Sequence, residues 1–351
     1  MPFSLPKTSI SLDRASSTYF PGDLITGKVS FSTQKVIAAR FIKITWNGEM
    51  RTAQSDLCEP FVKNLVSGSR VAWQSRNDMN LLPPGKHCFP FSFKLPKTSE
   101  PSFYGEFGST DYFVKVQMNR PWPLADQEVV KSFFVTKPYD IEEKAAGMKL
   151  GAHFANHRVA GTIFKDGQFS MKVKMPTRAF TPGGTIFATV EVDNNTSKSI
   201  RSLKASLIQQ SHYHYRPSPA CTIPEHRSCP LDDKHQGNSE TVLQTAKFGY
   251  EIAPFSRKSF NIQIDLPKSV QVVFENSMMS IGYLLSFSVK SSSLTGNKLK
   301  CNARIVIGTA QKSKTAKSVT SRASGTSRAF QSVKLPISPP PYDPKWSIHQ
   351  I

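Results

Sequence analysis

Residues 19–31 read YFPGDLITGKVSF, and residues 180–193 repeat the pattern as FTPGGTIFATVEVD. Each stretch contains an aromatic residue, a Pro-Gly pair and a run in which apolar residues occupy every second position. Such alternation is typical of a β-strand with one face on a core and the other toward water. The prolines of the two stretches, Pro21 and Pro182, are 161 positions apart. The sequence therefore predicts the same unit twice, namely a Pro-Gly turn that leads into a β-strand, and we call this unit the strand entry.

The duplication extends well beyond these first phrases. Two further pairs of segments match in the same order, namely 82–96 with 252–267 and 111–118 with 282–289. The interval from Pro96 to Tyr112 is 16 residues, and the interval from Pro267 to Tyr283 is also 16. A period of about 165 residues is too long for a solenoid repeat, so the repeated unit is a whole domain.

The composition favours an all-β fold of two tandem antiparallel β-sandwiches. The chain has 351 residues, with 25 prolines and 19 glycines that fit many short strands joined by turns. Within the strand-like run 39–51, the pair Asn47-Gly48 predicts a hairpin turn or a bulge. The predicted order is a first sandwich, a linker with one short helical turn, a second sandwich and a disordered basic tail rich in Ser and Thr. Their boundaries are 1–140, 141–154, 155–308 and 309–351.

The formal charge of +20 makes an anionic partner a candidate. The basic residues are spread over both halves, without an RRM signature, zinc-finger spacing or a basic helix, so no nucleic-acid partner is expected. The charge excess is interpreted first as a solvated surface, and attraction to an anionic membrane surface or an acidic partner is the alternative. The N-terminal stretch lacks the pattern of a secretion signal, and no run of 18 apolar residues occurs. The five cysteines are odd in number and scattered, which fits reduced thiols. These features predict a cytoplasmic protein.

The tail contains Pro339-Pro340-Pro341-Tyr342, which fits the pattern P-P-x-Y. Prolines preform a polyproline II helix that loses little entropy on docking into an aromatic-lined groove. A flexible tail is also where a short linear ligand can reach a partner. These four residues are the candidate binding site for a WW domain.

Several phrases together resemble the arrestin-domain-containing proteins, the α-arrestins. They are YFPGDLITGKVSF, LPPGKHCFPFSFKLP and YGEFGSTDYFVKVQMNRPW in the first half, and GTIFKDGQFSMKVKMPTRAFTPGG and VEVDNNTSKSIRSLKASLIQ in the second. The resemblance covers about residues 1–308, and PPPY matches the ligase-docking signature of the family. It implies two tandem arrestin-type β-sandwiches, N and C.

The resemblance also implies a function. The sandwiches of an α-arrestin engage cytosolic segments of transmembrane cargo proteins, and the tail recruits the WW domains of a HECT-type ubiquitin ligase, which promotes ubiquitination, endocytosis and sorting at the plasma membrane and endosomes. Pro339, Pro340 and Tyr342 match the fixed positions of the family's P-P-x-Y motif, and Pro341 occupies its variable position. Many members have two or more such motifs and this chain has one, so recruitment is expected to be weaker. A ligase-independent trafficking scaffold and a peripheral binder of anionic membranes remain alternatives.

One segment, 211–236, is rich in residue types that zinc prefers. They are His212, His214, Cys221, His226, Cys229 and His235. The two cysteines are eight residues apart, which matches no standard zinc pair, and the first two histidines alternate with tyrosines as strand residues do. The segment is therefore interpreted as a strand end that leads into a long loop, and no metal or other cofactor is expected.

Catalytic motifs are absent from the sequence, which lacks G-x-S-x-G, a phosphate-binding glycine loop and H-E-x-x-H, so no enzyme activity or catalytic residue is expected. Trp122 is predicted to close the end of a sandwich. The stripe Phe89, Phe91 and Phe93 has a period of two and is predicted to belong to a core. Gly105 and Gly108 are predicted to mark a turn or a bulge. The sequence does not indicate an oligomeric state.

Overall fold

The computed structural model describes residues 7–55, 57–76, 79–160, 166–220, 229–292 and 298–309. These residues form two β-sandwiches in tandem, as the sequence predicts. The predicted disordered tail, including Pro339 to Tyr342, lies outside the described residues.

The first sandwich is built from two sheets and a small ribbon. Its strands are β1 (Ser9–Leu12), β2 (Thr18–Tyr19), β3 (Leu24–Thr33), β4 (Ile37–Ala38), β5 (Phe41–Thr52), β6 (Phe61–Gln74), β7 (Leu81–Leu82), β8 (Gly85–Lys94), β9 (Phe103–Gly105), β10 (Gly108–Asn119) and β11 (Gln127–Val135). One sheet has the order β1-β3-β8 and the other β2-β11-β10-β5-β6, with β9 beside β10. The ribbon pairs β4 with β7.

The second sandwich repeats this plan. Its strands are β12 (Ala152–Val159), β13 (Gln168–Met175), β14 (Ala179–Phe180), β15 (Thr185–Asn195), β16 (Ile200–His214), β17 (Gln236–Phe248), β18 (Ser256–Asp265), β19 (Phe274–Glu275), β20 (Met279–Ser291) and β21 (Lys298–Ile307). The sheets have the orders β12-β13-β15-β18 and β14-β21-β20-β16-β17, with β19 beside β20. Apart from β12, each strand of these sheets has a counterpart in the first sandwich, which confirms the duplication seen in the sequence.

A short helix connects the two sandwiches. This helix, α1 (Ile141–Lys144), is followed by a 3-10 turn at Ala146–Met148. The Asp140 carboxylate accepts hydrogen bonds from the backbone N–H groups of Glu142 and Glu143, so it caps the helix N-terminus. The helical turn expected in the connector is therefore present.

The repeated Pro-Gly phrase moves the chain from one sheet of a sandwich to the other. In the first sandwich, β2 pairs in parallel with β11, whereas β3 belongs to the opposite sheet; β14, β21 and β15 repeat this arrangement. Gly22 and Gly183 lie in the turns between these strands, with φ of 89° and 75°. Glycine adopts this left-handed conformation at little steric cost. The predicted strand entry is confirmed in both halves.

A buried tyrosine occupies equivalent positions in the two sandwiches. The Tyr112 hydroxyl donates to the Glu100 carbonyl oxygen at 2.7 Å, and the Tyr283 hydroxyl donates to the Gln271 carbonyl oxygen at 2.7 Å. The equal intervals that precede the two tyrosines in the sequence therefore reflect one structural device. Each hydroxyl ties its central strand to the loop that leads into it.

Alternate side chains of the strands fill the two cores. The predicted aromatic stripe is confirmed, since Phe91 and Phe93 are buried and Phe89 packs against the same core. The predicted bulge is also present, because the register between β5 and β6 shifts at Gly48. A Cβ at Gly48 would lie 2.4 Å from the Tyr112 ring, so close packing explains the glycine here.

We predict that Tyr112→Phe and Tyr283→Phe each lower the free energy of unfolding by about 1 to 2 kcal/mol, because each leaves a carbonyl without its hydroxyl partner. Urea denaturation followed by circular dichroism measures the effect. Tyr250→Phe is the control, since this half-exposed ring packs on Phe248 and Phe260. An equal loss in the control would contradict the prediction.

The same variants should alter the pH dependence of stability. Burial raises the pKa of Tyr112 and Tyr283 above the ordinary value of 10. The unfolded chain therefore loses these protons at lower pH than the folded chain, and folding becomes less favourable as the pH rises above 10. The two phenylalanine variants should show a shallower decline than the wild type. A slope equal to that of the wild type would contradict this assignment.

Candidate functional site at the junction of the two sandwiches

The hairpin β9–β10 of the first sandwich is inserted into the second sandwich. Phe103 is buried in the core of the second sandwich, where its ring centroid lies 5.4 Å from Phe274 and 6.5 Å from Tyr213. Phe107, in the hairpin turn, forms T-shaped contacts with Tyr213 and Tyr215 at 5.6 and 6.5 Å. Aromatic pairs at such distances add stabilisation beyond the area that they bury. The hairpin of the first sandwich therefore contributes a ring to the core of the second.

Glycines allow the hairpin to approach this closely. A Cβ at Gly105 would lie 2.2 Å from the Tyr213 hydroxyl, and one at Gly108 would lie 3.0 Å from the Met279 sulfur. The two glycines flank a tight turn, which confirms the sequence prediction for them. Their further role, close contact with the other sandwich, has no local sequence signal.

Polar groups at the junction are paired across it. The Thr52 hydroxyl donates to the His214 carbonyl oxygen at 2.6 Å, and the Gln271 side-chain amide donates to the Ser102 carbonyl oxygen at 2.9 Å. Burial raises the pKa of Tyr215 to about 12, so its hydroxyl stays protonated at physiological pH. These hydrogen bonds across the junction, together with the aromatic packing, hold the two sandwiches in a defined relative position.

We predict that Phe103→Ala costs about 3 to 5 kcal/mol, because it leaves a cavity between the sandwiches. Differential scanning calorimetry should show a lower and broader transition as the two units become less coupled. Phe187→Ala is the matched control, because the Phe187 side chain is 54% exposed on β15. An equal effect of both substitutions would show that Phe103 does not join the sandwiches.

The histidines of the zinc-like segment lie at the end of β16, next to this junction. His212 and His214 are both buried and point to the same face of the strand, whereas Tyr213 between them points to the junction core. The loop that follows returns Cys229 to the histidines, and its sulfur lies 3.5 Å from His214 Nε2. The predicted strand end at His214 is confirmed, and residues 221–228 of the predicted loop lie outside the described residues. Sequence spacing did not predict this convergence.

Three of the six metal-type residues are thus brought together. The potential ligand atoms of His212, His214 and Cys229 all lie within 4.8 Å of one another. His235 is not part of the cluster, since its Nδ1 contacts the Asp232 carboxylate instead. The other two residues, Cys221 and His226, lie outside the described residues. Burial lowers the pKa of His214, which favours a neutral imidazole.

The prediction for Trp122 is wrong. Its side chain is 89% exposed, in the loop between β10 and β11, and it does not close the sandwich. The loop is instead closed by the Asp126 carboxylate, which accepts hydrogen bonds from the side chains of Gln117 and Asn119 and from the Arg120 N–H. Because these polar contacts hold the loop, it does not require an aromatic cover.

A group of lysines on the second sandwich was not identified from the sequence. Lys204, Lys290, Lys298 and Lys300 project from β16, β20 and β21, and three of them line one shallow pocket. Partial desolvation and the other three ammonium groups lower the pKa of Lys298. Lys298 and Lys300 are two positions apart, so the sequence alone places them on the same face of one strand. That Lys204 and Lys290 lie beside them follows only from the pairing of β16, β20 and β21. We call these four residues the lysine face.

The described residues contain no helix with the length and apolar character needed to cross a membrane. The candidate WW ligand from Pro339 to Tyr342 lies outside the described residues. The structure thus provides two sandwiches joined at Phe103, with a polar cluster and a lysine face on the second.

Comparison with known proteins gives the family. Residues 8–142 match the N-terminal domain of arrestin (or S-antigen), and residues 165–312 match its C-terminal domain. Among curated proteins, the chain is 24% identical to human arrestin domain-containing protein 1 over 204 residues, which are 58% of this chain and 47% of the relative. It is 27% identical to arrestin domain-containing protein 17 of Caenorhabditis elegans over 230 residues, 60% of this chain and 52% of the relative.

A third relative, arrestin domain-containing protein 5 of Bos taurus, is 25% identical over 206 residues, 56% of this chain and 62% of the relative. The matched region thus spans about half the length of the first two relatives. The two domain matches together span most of the chain, in the order that the two sandwiches take. The chain belongs to the arrestin family, as an arrestin-domain-containing protein with an N-terminal and a C-terminal arrestin domain.

Proposed function

We propose that the chain is a non-enzymatic trafficking adaptor that links transmembrane cargo to a WW-domain HECT-type ubiquitin ligase. The observation that carries this proposal is the combination of a joined arrestin-domain pair with the tail sequence PPPY at 339–342. The shared aromatic core at Phe103 supports the adaptor role, because it lets the two domains present one continuous surface to a partner.

In this proposal the tail binds the ligase and the sandwiches bind the cargo. Pro339 and Pro340 would pack in the aromatic groove of a WW domain, and Tyr342 would fill the adjacent pocket. Recruitment of the ligase would then promote ubiquitination, endocytosis and sorting of cargo at the plasma membrane and endosomes. No step requires a catalytic residue or a cofactor of this chain.

Calorimetric titration of a peptide spanning residues 333–347 into isolated WW domains tests the ligase arm. We expect micromolar binding that Tyr342→Ala abolishes, because the substitution removes the side chain that fills the pocket. Pro341→Ala is the matched control, since position 341 is the free position of the motif and binding should persist. Absence of binding to every WW domain tested would remove the ligase from the proposal and leave a ligase-independent scaffold.

The lysine face supports a second candidate function, peripheral binding to an anionic membrane surface. Four ammonium groups on one sheet surface, close enough to lower the pKa of Lys298, form a concentrated positive field. Each basic residue near an anionic bilayer contributes about 1 kcal/mol. This role is compatible with the adaptor role, because cargo is also found at membranes.

Vesicle sedimentation tests this second candidate. We expect the wild type to bind vesicles that contain phosphatidylserine and to dissociate as salt shortens the Debye length from about 8 Å. Neutralising the lysine face to glutamine should weaken binding at least tenfold. The control replaces the exposed Lys28, Lys86, Lys94 and Lys131 of the first sandwich, which changes the charge equally. If both variants lost vesicle affinity equally, binding would depend on the net charge of the protein, and the lysine face would not be a specific membrane site.

A further inference from the structure

We propose that His212, His214 and Cys229 form a zinc-binding site beside the junction of the two sandwiches. Imidazole nitrogens and a thiolate sulfur are the ligands that zinc prefers. Here they are placed together by the end of β16 and by the loop that returns to it.

The distances between the ligand atoms fit a shared metal ion. The Nε2 atoms of His212 and His214 are 3.1 Å apart, and the Cys229 sulfur lies 3.5 Å from His214 Nε2. In a tetrahedral site with Zn–N near 2.0 to 2.1 Å and Zn–S near 2.3 Å, two nitrogens lie about 3.3 Å apart, and a nitrogen and a sulfur about 3.6 Å apart. The observed spacings agree with both values.

The outer ring nitrogens of the two histidines are oriented as they are in metal sites. His214 Nδ1 lies 2.9 Å from the Ser277 carbonyl oxygen, which only accepts, so Nδ1 carries the hydrogen. His212 Nδ1 lies 2.7 Å from the Asn238 side-chain oxygen and donates in the same way. In the neutral rings, both Nε2 atoms therefore present lone pairs. Metal-ligating histidines use this outer hydrogen bond to fix tautomer and orientation.

Two facing lone pairs at 3.1 Å repel each other unless a cation or a proton lies between them. A divalent ion satisfies both nitrogens and the sulfur at once, and on binding the thiol proton is released to water. A metal ion between the two nitrogens therefore accounts for their close approach.

The surroundings are buried and polar. His212 and His214 are each 1% exposed, and Ser280 lies opposite His212 on the neighbouring strand. The Ser280 hydroxyl is buried, with no hydrogen-bond partner among the described residues. This hydroxyl adds an unpaired polar atom to a sheet surface that already holds two imidazoles. Such a surface suits a polar ligand better than apolar packing.

The bound ion would act structurally. It would tie the returning loop at Cys229 to the end of β16, where the His214 carbonyl accepts the hydrogen bond from Thr52 of the first sandwich. Three ligands leave a fourth position for water or another donor. Zinc binding is therefore expected to stabilise the loop and the junction together.

Cobalt titration of the full chain tests the proposal. The metal-free protein is prepared by dialysis against a chelator, titrated with Co²⁺ and then with Zn²⁺. We expect one equivalent of Co²⁺ to give the visible absorption of a tetrahedral site and a thiolate-to-cobalt charge-transfer band, both lost when Zn²⁺ displaces the ion. Zn²⁺ should also raise the melting temperature of the wild type.

Substitutions assign the ligands. Cys229→Ser should remove the charge-transfer band and the stabilisation by zinc, and His214→Gln should weaken binding by more than a hundredfold. Asn238→Ala, which removes an outer hydrogen bond, should weaken binding by about 10 to 100-fold. His235→Gln is the matched control, since this histidine lies near the same loop end but outside the cluster, and binding should be unchanged.

The proposal is overturned if no stoichiometric Co²⁺ or Zn²⁺ binds, or if the charge-transfer band persists in Cys229→Ser. It is also overturned if His235→Gln removes binding while His214→Gln does not. Cys229 is only partly buried, so Cys229→Ser provides a folded variant even where the histidine substitutions disturb folding.

Discussion

The insertion of the Phe103 ring into the second sandwich is the contact on which the architecture of this protein depends. An aromatic side chain buries about 150 to 250 Å², and at about 25 cal/mol per Å² this corresponds to roughly 4 to 6 kcal/mol. That amount is a large part of the stability of a typical domain. Because the ring contacts Phe274 and Tyr213 at once, separating the two sandwiches would expose apolar surface on both. The pair therefore behaves as one body, and any partner that spans both domains meets a surface of fixed shape.

The two halves preserve the same framework but carry different polar features. Both use a left-handed glycine after a two-residue parallel strand, and both secure a central tyrosine to a carbonyl twelve residues earlier in the chain. The second half alone places two imidazoles at the end of its long strand β16. Features that close a sandwich are shared, whereas the buried polar cluster and the lysine face are particular to the second half.

Much of the fold could be predicted from the sequence, because its signals are local or repeated. Alternation identified the aromatic stripe at Phe91 and Phe93, and equal spacing linked Tyr112 to Tyr283. The candidate sites were harder to predict, because they depend on strand pairing and loop return. Cys229 is fifteen residues from His214 in the chain and 3.5 Å away in space, which no sequence spacing rule for zinc describes. Trp122 was wrongly predicted to close the end of the sandwich. Hydrogen bonds to the Asp126 carboxylate close this loop, and the residue types alone do not reveal them.

The two-residue strands β2 and β14 have a consequence for how the protein avoids self-association. Each covers part of the last strand of its sheet, β11 or β21, which would otherwise offer a row of unpaired backbone groups to another molecule. The proline that follows each short strand ends it after two residues, so the new sheet edge is too short to serve as a template for another chain. The phrase that carries the chain between sheets thus also shields one edge of each sandwich from aggregation.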